Sequence, residues 1–334
     1  MTRSWQAIRE GVMNGWRALH LTSDALEVIV LPDKGADIYG IIDLNTGVDV
    51  LFKSPWGLQP PGAPPRAGSD GMAFLENYEG GWQELFPNTN DPARYRDTIL
   101  PFHGEVATLP WSWSVVPSDP GEIAVRLAVE CRLTPFRLER MMRLRDGERR
   151  LALDERVTNL SDESALFCWG HHCVVGPPLV ADGAELRVPC RTIVTGPEPW
   201  EQTARLVPGQ RGRWPVAQCR DGGTADLSQV PGPDAGSHDD VFLTELTEGW
   251  AEVVNPSLGL GFRLDWDPAI FRWVISWQPY GGAHSLPLGG CYGLGIEPWT
   301  SEGNLEAAIG KGDAATLAPH GVLETTVTAS ITGG

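Results

Sequence analysis

The stretch E122-IAVRLAVECR-L133 alternates apolar and polar side chains with a period of two. Ile123, Val125, Leu127, Val129, Cys131 and Leu133 fall on one face, while Glu122, Arg126, Glu130 and Arg132 share the other with Ala124 and Ala128. Successive side chains of a strand point to opposite sides, so the pattern predicts a strand with one dry face and one wet face. The neighbouring segments repeat it. FRLERMMRL (136–144) puts Phe136, Leu138, Met142 and Leu144 on one face, and RLALDERVTNL (150–160) does the same with Leu151, Leu153 and Val157. The intervening RDGERR, with Asp146-Gly147, predicts a hairpin. WSWSVV (111–116), FRWVISW (271–277) and LETTVTASI (323–331) continue the theme. Many antiparallel strands without crossover helices imply an all-β fold, a large antiparallel β-sandwich.

Composition agrees with that reading. The 334 residues include 39 glycines and 28 prolines, a load of turn formers that suits many short strands better than long helices. Strand patterns of similar composition flank the Pro- and Gly-rich stretches 53–71 and 196–240, which predicts one domain over 1–334 with long loops at those two places. A formal net charge of -17 disfavours nucleic-acid phosphates and anionic membranes as partners, and favours a neutral small molecule. No run approaches the ~18 apolar residues of a membrane span, and MTRSWQAIREGVMNGW lacks an apolar signal core, so a cytoplasmic location is expected. Six cysteines (Cys131, Cys168, Cys173, Cys190, Cys219, Cys291) without C-x-x-C pairs fit reduced thiols, mostly small core residues.

Chemistry concentrates in a few polar motifs. GHHCVVGPP (170–178) offers two histidines and a cysteine, but strand alternation sends His171 and Cys173 to one face and His172 to the other. His171 and Cys173 could share a metal only with a third ligand, and Cys173 diverges from His172 as a nucleophile would not. In GLGIEPWTS (293–301), Glu297 precedes Pro298, which cannot donate to a continuing ladder, so its carboxylate sits where a strand terminates and can serve as a base. GGWQELFPN (80–88) and FHGEV (102–106) are the other polar stretches. Most of the fourteen tryptophans are expected in the core. Trp82, Trp277 and Trp299 flank the polar motifs and are candidates for stacking on the apolar face of a sugar.

The order LPDKGADIYGI (31–41), GGWQELFPN, FHGEV, GHHCVVGPP, SHDDVFL (237–243) and GIEPWTS resembles the aldose 1-epimerase, or galactose mutarotase-like, family over nearly the whole chain. The resemblance implies a supersandwich that binds a sugar on its concave face and interconverts α and β anomers of a free aldose. It implies Glu297 as general base at the anomeric hydroxyl, His172 as general acid at the ring oxygen, and His103 as a hydrogen-bonding partner near that oxygen. It also implies Asp239, or Asp240 in its place, as a ligand of sugar hydroxyls, with Gln278 as a further polar contact. GGWQELFPN would shape the pocket floor, with Glu84 as a second carboxylate in a structural or substrate-binding rather than a catalytic role. Moving a proton from O1 to O5 needs an acid and a base but no metal and no cofactor. Two departures stand out: Cys173-Val174-Val175 replaces the aromatic and asparagine residues usual after the second histidine, and the usual arginine has only Arg66, Arg94 and Arg96 as candidates. Arg94 and Arg96 leave a sugar phosphate open. Other isomerase or epimerase chemistry, a glycosidase pairing Glu297 with Glu84 or Asp239, and a non-catalytic carbohydrate-binding protein are the alternatives.

Overall fold

The computed structural model describes residues 7–64, 66, 73–284 and 286–333. The strand read first, Glu122–Glu130, lies in a nine-stranded sheet whose order is Gln229–Val230, Ala184–Arg187, Trp250–Asn255, Leu260–Asp265, Val322–Gly333, Arg150–Asn159, Phe136–Arg145, Glu122–Glu130 and Ser112–Val116. A second sheet, of twelve strands, packs against it. Its main path runs Ala7–Met13, Trp16–Thr22, Leu26–Leu31, Asp37–Asp43, Trp82–Leu85, Gly170–Val175, Glu297–Trp299, Trp273–Tyr280, Ser237–Thr244, Thr192–Thr195 and Arg211–Arg213, with Leu294–Gly295 paired beside Gly170–Val175. Neighbouring strands pair antiparallel in both sheets. The helices among the described residues are short, Ala73–Glu76 and Leu305–Lys311, with two brief 3-10 turns.

Register follows the stripes. Leu138 sits opposite Val129 and Val157, and Met142 opposite Val125 and Leu153, so each apolar set meets its neighbour's. These side chains are buried together with Trp82, Cys173, Val241, Leu243 and Val274 from the other sheet. Each fully buried Val or Leu contributes roughly 1.5–3 kcal/mol. A slip of one residue would turn a whole stripe to solvent, so the pairing is held firmly.

Two expectations are corrected. The first strand ends at Glu130, because the chain turns at 132–135; Cys131 is half-buried and Leu133 is 49% exposed rather than part of the dry stripe. The 196–240 segment is not one long loop. It contains Arg211–Arg213, which extends the twelve-stranded sheet, a hairpin of Val216–Gln218 with Thr224–Asp226, and Gln229–Val230 at the edge of the other sheet. Two charged residues occupy inward positions of apolar stripes: Arg140, between Leu138 and Met142, and Glu155, between Leu153 and Val157, are both buried. In the 53–71 stretch, residues 53–64 and 66 contain no strand, and 65 and 67–71 lie outside the described residues. All six cysteines are free thiols, with Cys168, Cys173 and Cys291 buried.

Candidate functional site

The face of the twelve-stranded sheet turned away from the inter-sheet core borders a cavity of about 660 Å3. Alternation decides which residues reach it. His172 from Gly170–Val175, Asp240 and Phe242 from Ser237–Thr244, Ile275 and Trp277 from Trp273–Tyr280, and Glu297 and Trp299 from Glu297–Trp299 all line it. His103 joins them from a loop. His172 Nε2 stands 3.7 Å from Glu297 Oε1, and both residues are buried.

Local sequence explains how these groups are held. Glycine is required at 295: a Cβ there would come within 2.5 Å of Glu297 Oε1 and 2.9 Å of Trp277 Cβ, so the missing side chain gives the carboxylate its place. Ile296 N–H donates to Cys173 O, and Thr300 N–H to Trp169 O, tying the Glu297 strand to the strand of His172. His103 has φ 61°, a left-handed conformation costly for a residue with a Cβ. The following Gly104, at φ 79°, lets the turn pass so close to Phe86 O that a Cβ would lie 2.4 Å from it. The result aims His103 inward: its Nδ1 accepts the backbone N–H of Asn90 at 3.0 Å, leaving Nε2 to carry the proton of the neutral ring.

Aromatic rings surround the histidine. Ring centroids of Tyr78, Phe74 and His103 lie 5.1, 5.3 and 5.3 Å from that of His172. Trp277 is fixed by donating its indole N–H to His238 Nε2 at 2.6 Å. These dry surroundings set the protonation states. Burial lowers His172 to about 3. Burial and then the neighbouring His172 hold His103 well below the usual histidine value. Burial, reinforced by Asp240, pushes the Glu297 carboxyl well up against the opposing indole of Trp299. Burial and then Asp239 raise Asp240 to about 7. Burial thus favours the uncharged form of both members of the His172 and Glu297 pair.

Several residues singled out in the sequence lie elsewhere. Strand pairing sets His172 opposite Gln83, His171 opposite Glu84 and Cys173 opposite Trp82, so Trp82 and Glu84 face the inter-sheet core with His171 rather than the cavity floor. Gln278 likewise points away from Trp277 and donates to Leu227 O and Ser276 Oγ. Asp239 borders the cavity, but its carboxylate accepts Arg205 Nε and the backbone N–H groups of Arg205 and Leu206 at 2.7, 2.7 and 3.2 Å. Asp240 is the free carboxyl of the two.

None of the three arginine candidates lines the cavity. Arg66 lies over the Trp56 ring and donates to Glu76 O, Leu75 O and Pro287 O. Arg96 pairs with Glu163 and donates to Ser164 O. Arg94 lies on the short hairpin 93–100, exposed. Lys311 is the cation among the described residues that line the cavity, and it pairs with Glu302 at 2.8 Å.

His171 and Cys173 do share a face, but the groups gathered around His171 are Glu84 and Glu155, with ligand atoms within 4.8 Å of one another. Both carboxylates are already paired with the guanidinium of Arg140, which donates to Glu84, to Glu155 at 3.0 Å and to Ala36 O at 3.1 Å. Trp169 donates to the other oxygen of Glu84, and Trp82 to His171 Nδ1 at 3.2 Å. Burial would raise Glu155, but His171 and Arg140 outweigh it and hold the carboxyl down to about 2. The strand of His172 is thus gripped from behind by charges that reach across the core.

The sequence reading missed Tyr78, Phe74, Phe102 and Trp200 in the cavity region. Their only signal was aromatic enrichment beside the polar motifs, in AFLENYEGGW, PFHGEV and GPEPWEQ.

A family model described as a domain of unknown function, DUF4432, matches residues 13–331. The chain belongs to that family. No curated protein matches it. Among solved structures, the DUF4432 chain is similar to a Klebsiella pneumoniae protein described as a candidate aldose 1-epimerase, with TM-score 0.78 and 19% identity over 97% of this chain and 83% of the other. It is also similar to a galactose mutarotase-like protein of Clostridium acetobutylicum, with TM-score 0.67 and 15% identity over 98% and 99% of the two chains. A galactose mutarotase-like protein of Lactobacillus casei matches with TM-score 0.62 and 14% identity over 94% and 100%. At these identities the likeness establishes the fold: this DUF4432 chain is a galactose mutarotase-like β-sandwich.

Proposed function

We propose that the protein is a mutarotase of an uncharged aldose, working by acid-base ring opening at Glu297 and His172. The observation that carries this reading is their 3.7 Å approach inside a cavity walled by aromatic rings. Anomer exchange moves a proton off O1 and a proton onto O5, so one proton shared by a carboxyl and an imidazole is the necessary inventory. When sugar displaces water from the cavity, the carboxylate and imidazolium tautomer of the pair takes the O1 proton on Glu297 and gives the O5 proton from His172. The ring opens to the aldehyde, the C1–C2 bond rotates, and the reverse transfers close the other anomer. His103 Nε2–H supports the ring oxygen, and Asp240 accepts from a sugar hydroxyl.

The lack of an unpaired cation among the described lining residues favours an unphosphorylated sugar. Glu84 is behind the sheet and Asp239 is held by Arg205, so neither stands ready as the second carboxyl of a hydrolase. The test follows freshly dissolved α-anomers of glucose, galactose, xylose and arabinose by polarimetry or proton NMR with and without protein. Faster relaxation of at least one sugar is expected; unchanged relaxation of all of them refutes the proposal, and acceleration of their phosphates alone refutes its uncharged substrate.

A further inference from the structure

The cavity is larger than the single ring that Glu297 and His172 can serve. A hexose has twelve heavy atoms, and even at a water molecule's share of liquid volume, about 30 Å3 per heavy atom, it would fill no more than roughly 360 Å3. The cavity holds about 660 Å3.

A row of rings leads from the acid-base pair toward solvent. Centroid separations are 5.3 Å from His172 to His103, 4.0 Å from His103 to Phe102, and 6.3 Å from Phe102 to Trp200. The first three rings are buried, at 7% exposure for His172 and 5% for both His103 and Phe102, and only the last, Trp200, is open, at 44%. An indole left so open is unusual, because its large apolar surface gains most when covered. Trp200 does not hang on a slack loop. Pro197 and Pro199 restrict the backbone before it, and the segment after it is pinned by Thr203 Oγ1 to Gly282 O at 2.6 Å and by Arg205 and Leu206 to the carboxylate of Asp239. Polar side chains with hydrogen-bonding capacity for sugar hydroxyls, Asp91, Glu302 and Lys311, line the same cavity.

We propose that Trp200 and Phe102 form a second sugar subsite, and that the substrates include reducing disaccharides. The ring with the free anomeric carbon sits at Glu297 and His172, and the second ring lays its C–H face on the Trp200 indole. This rests on the mutarotase reading and extends it from one ring to two. It also gives the anchored 197–206 segment a task, as a fixed wall of the outer subsite.

The experiment compares anomer relaxation of cellobiose, maltose and lactose with that of glucose and galactose, using wild type and Trp200→Ala. In wild type at least one disaccharide relaxes faster with protein. In the variant its kcat/KM falls by roughly three- to tenfold, mostly through KM, while the monosaccharide values move less than twofold. Acceleration of monosaccharides without any disaccharide overturns the subsite and leaves the mutarotase reading intact. Equal losses for both sugar classes in Trp200→Ala also overturn it. If no sugar relaxes faster, the mutarotase reading has failed, and calorimetric titration with cellobiose decides the subsite: weaker binding to Trp200→Ala supports it, and no binding or equal binding overturns it.

Discussion

Arg140 and Glu155 face each other in strand register and join, Nε to Oε1 at 3.0 Å, in the dry space between the two sheets. With Glu84 and His171 they form a buried charge network directly behind the strand of His172. Removing one partner strands the rest. Arg140→Met leaves two carboxylates buried without their cation and is expected to cost about 3–5 kcal/mol of folding stability, read as a fall in the denaturant midpoint at unchanged slope. A loss under about 1 kcal/mol would show that the network is not a coupled unit.

Gly295 offers a sharper probe of the cavity. Gly295→Ala brings a methyl group against Glu297 Oε1 and Trp277 Cβ, and the carboxylate, as the freer of the two, moves. Displacements near 1 Å cost roughly 10²-fold in rate when geometry carries the catalysis. The expected result is a folded protein, with near wild-type circular dichroism, whose anomer relaxation has fallen by about that factor. Full activity in the variant would mean that the carboxylate's present position is not the working one.

The raised Asp240 carboxyl has a readable sign. Its folded value is about 7, against the ordinary aspartate value near 4 when unfolded. Between those values the folded state binds one more proton than the unfolded state, so this stabilisation is complete at acid pH and is lost as pH rises through about 7. Thermal midpoints of wild type should therefore drop more between pH 5 and pH 8 than those of Asp240→Asn. The variant should also lose the inflection in kcat/KM near neutral pH. Parallel profiles of the two proteins would contradict the placement of Asp240 in a dry site.

Much of the sandwich was legible because period-two patterning is a local signal. Phe136–Arg145, Arg150–Asn159 and Val322–Gly333 appear with bounds within a residue or two of their patterns. The same alternation correctly separated His172 from His171 and Cys173. What escaped depended on contacts distant in sequence. Arg140 and Glu155 interrupt apolar stripes, and only their meeting with Glu84 across the core makes them compatible with burial. The motif alone left Glu84 between a structural and a substrate-binding role and made Trp82 a sugar-stacking candidate, whereas pairing with Gly170–Val175 turns both inward. Asp239 and Asp240 could not be told apart until Arg205 was seen to claim the first. Trp200 lies in a segment read as loop, where no periodicity says which way a side chain points.

The central claim is that Glu297 and His172 act together on one sugar. Its most direct test is the single-turnover relaxation of a saturating α-anomer, followed by NMR with wild type, Glu297→Gln and His172→Asn, each confirmed folded. Both variants keep the cavity's shape but lose a proton carrier, and each is expected to lower the rate by roughly 10²–10⁴-fold, with the double variant little worse than either single one. A Glu297→Gln protein that relaxes the sugar at the wild-type rate would contradict the assignment.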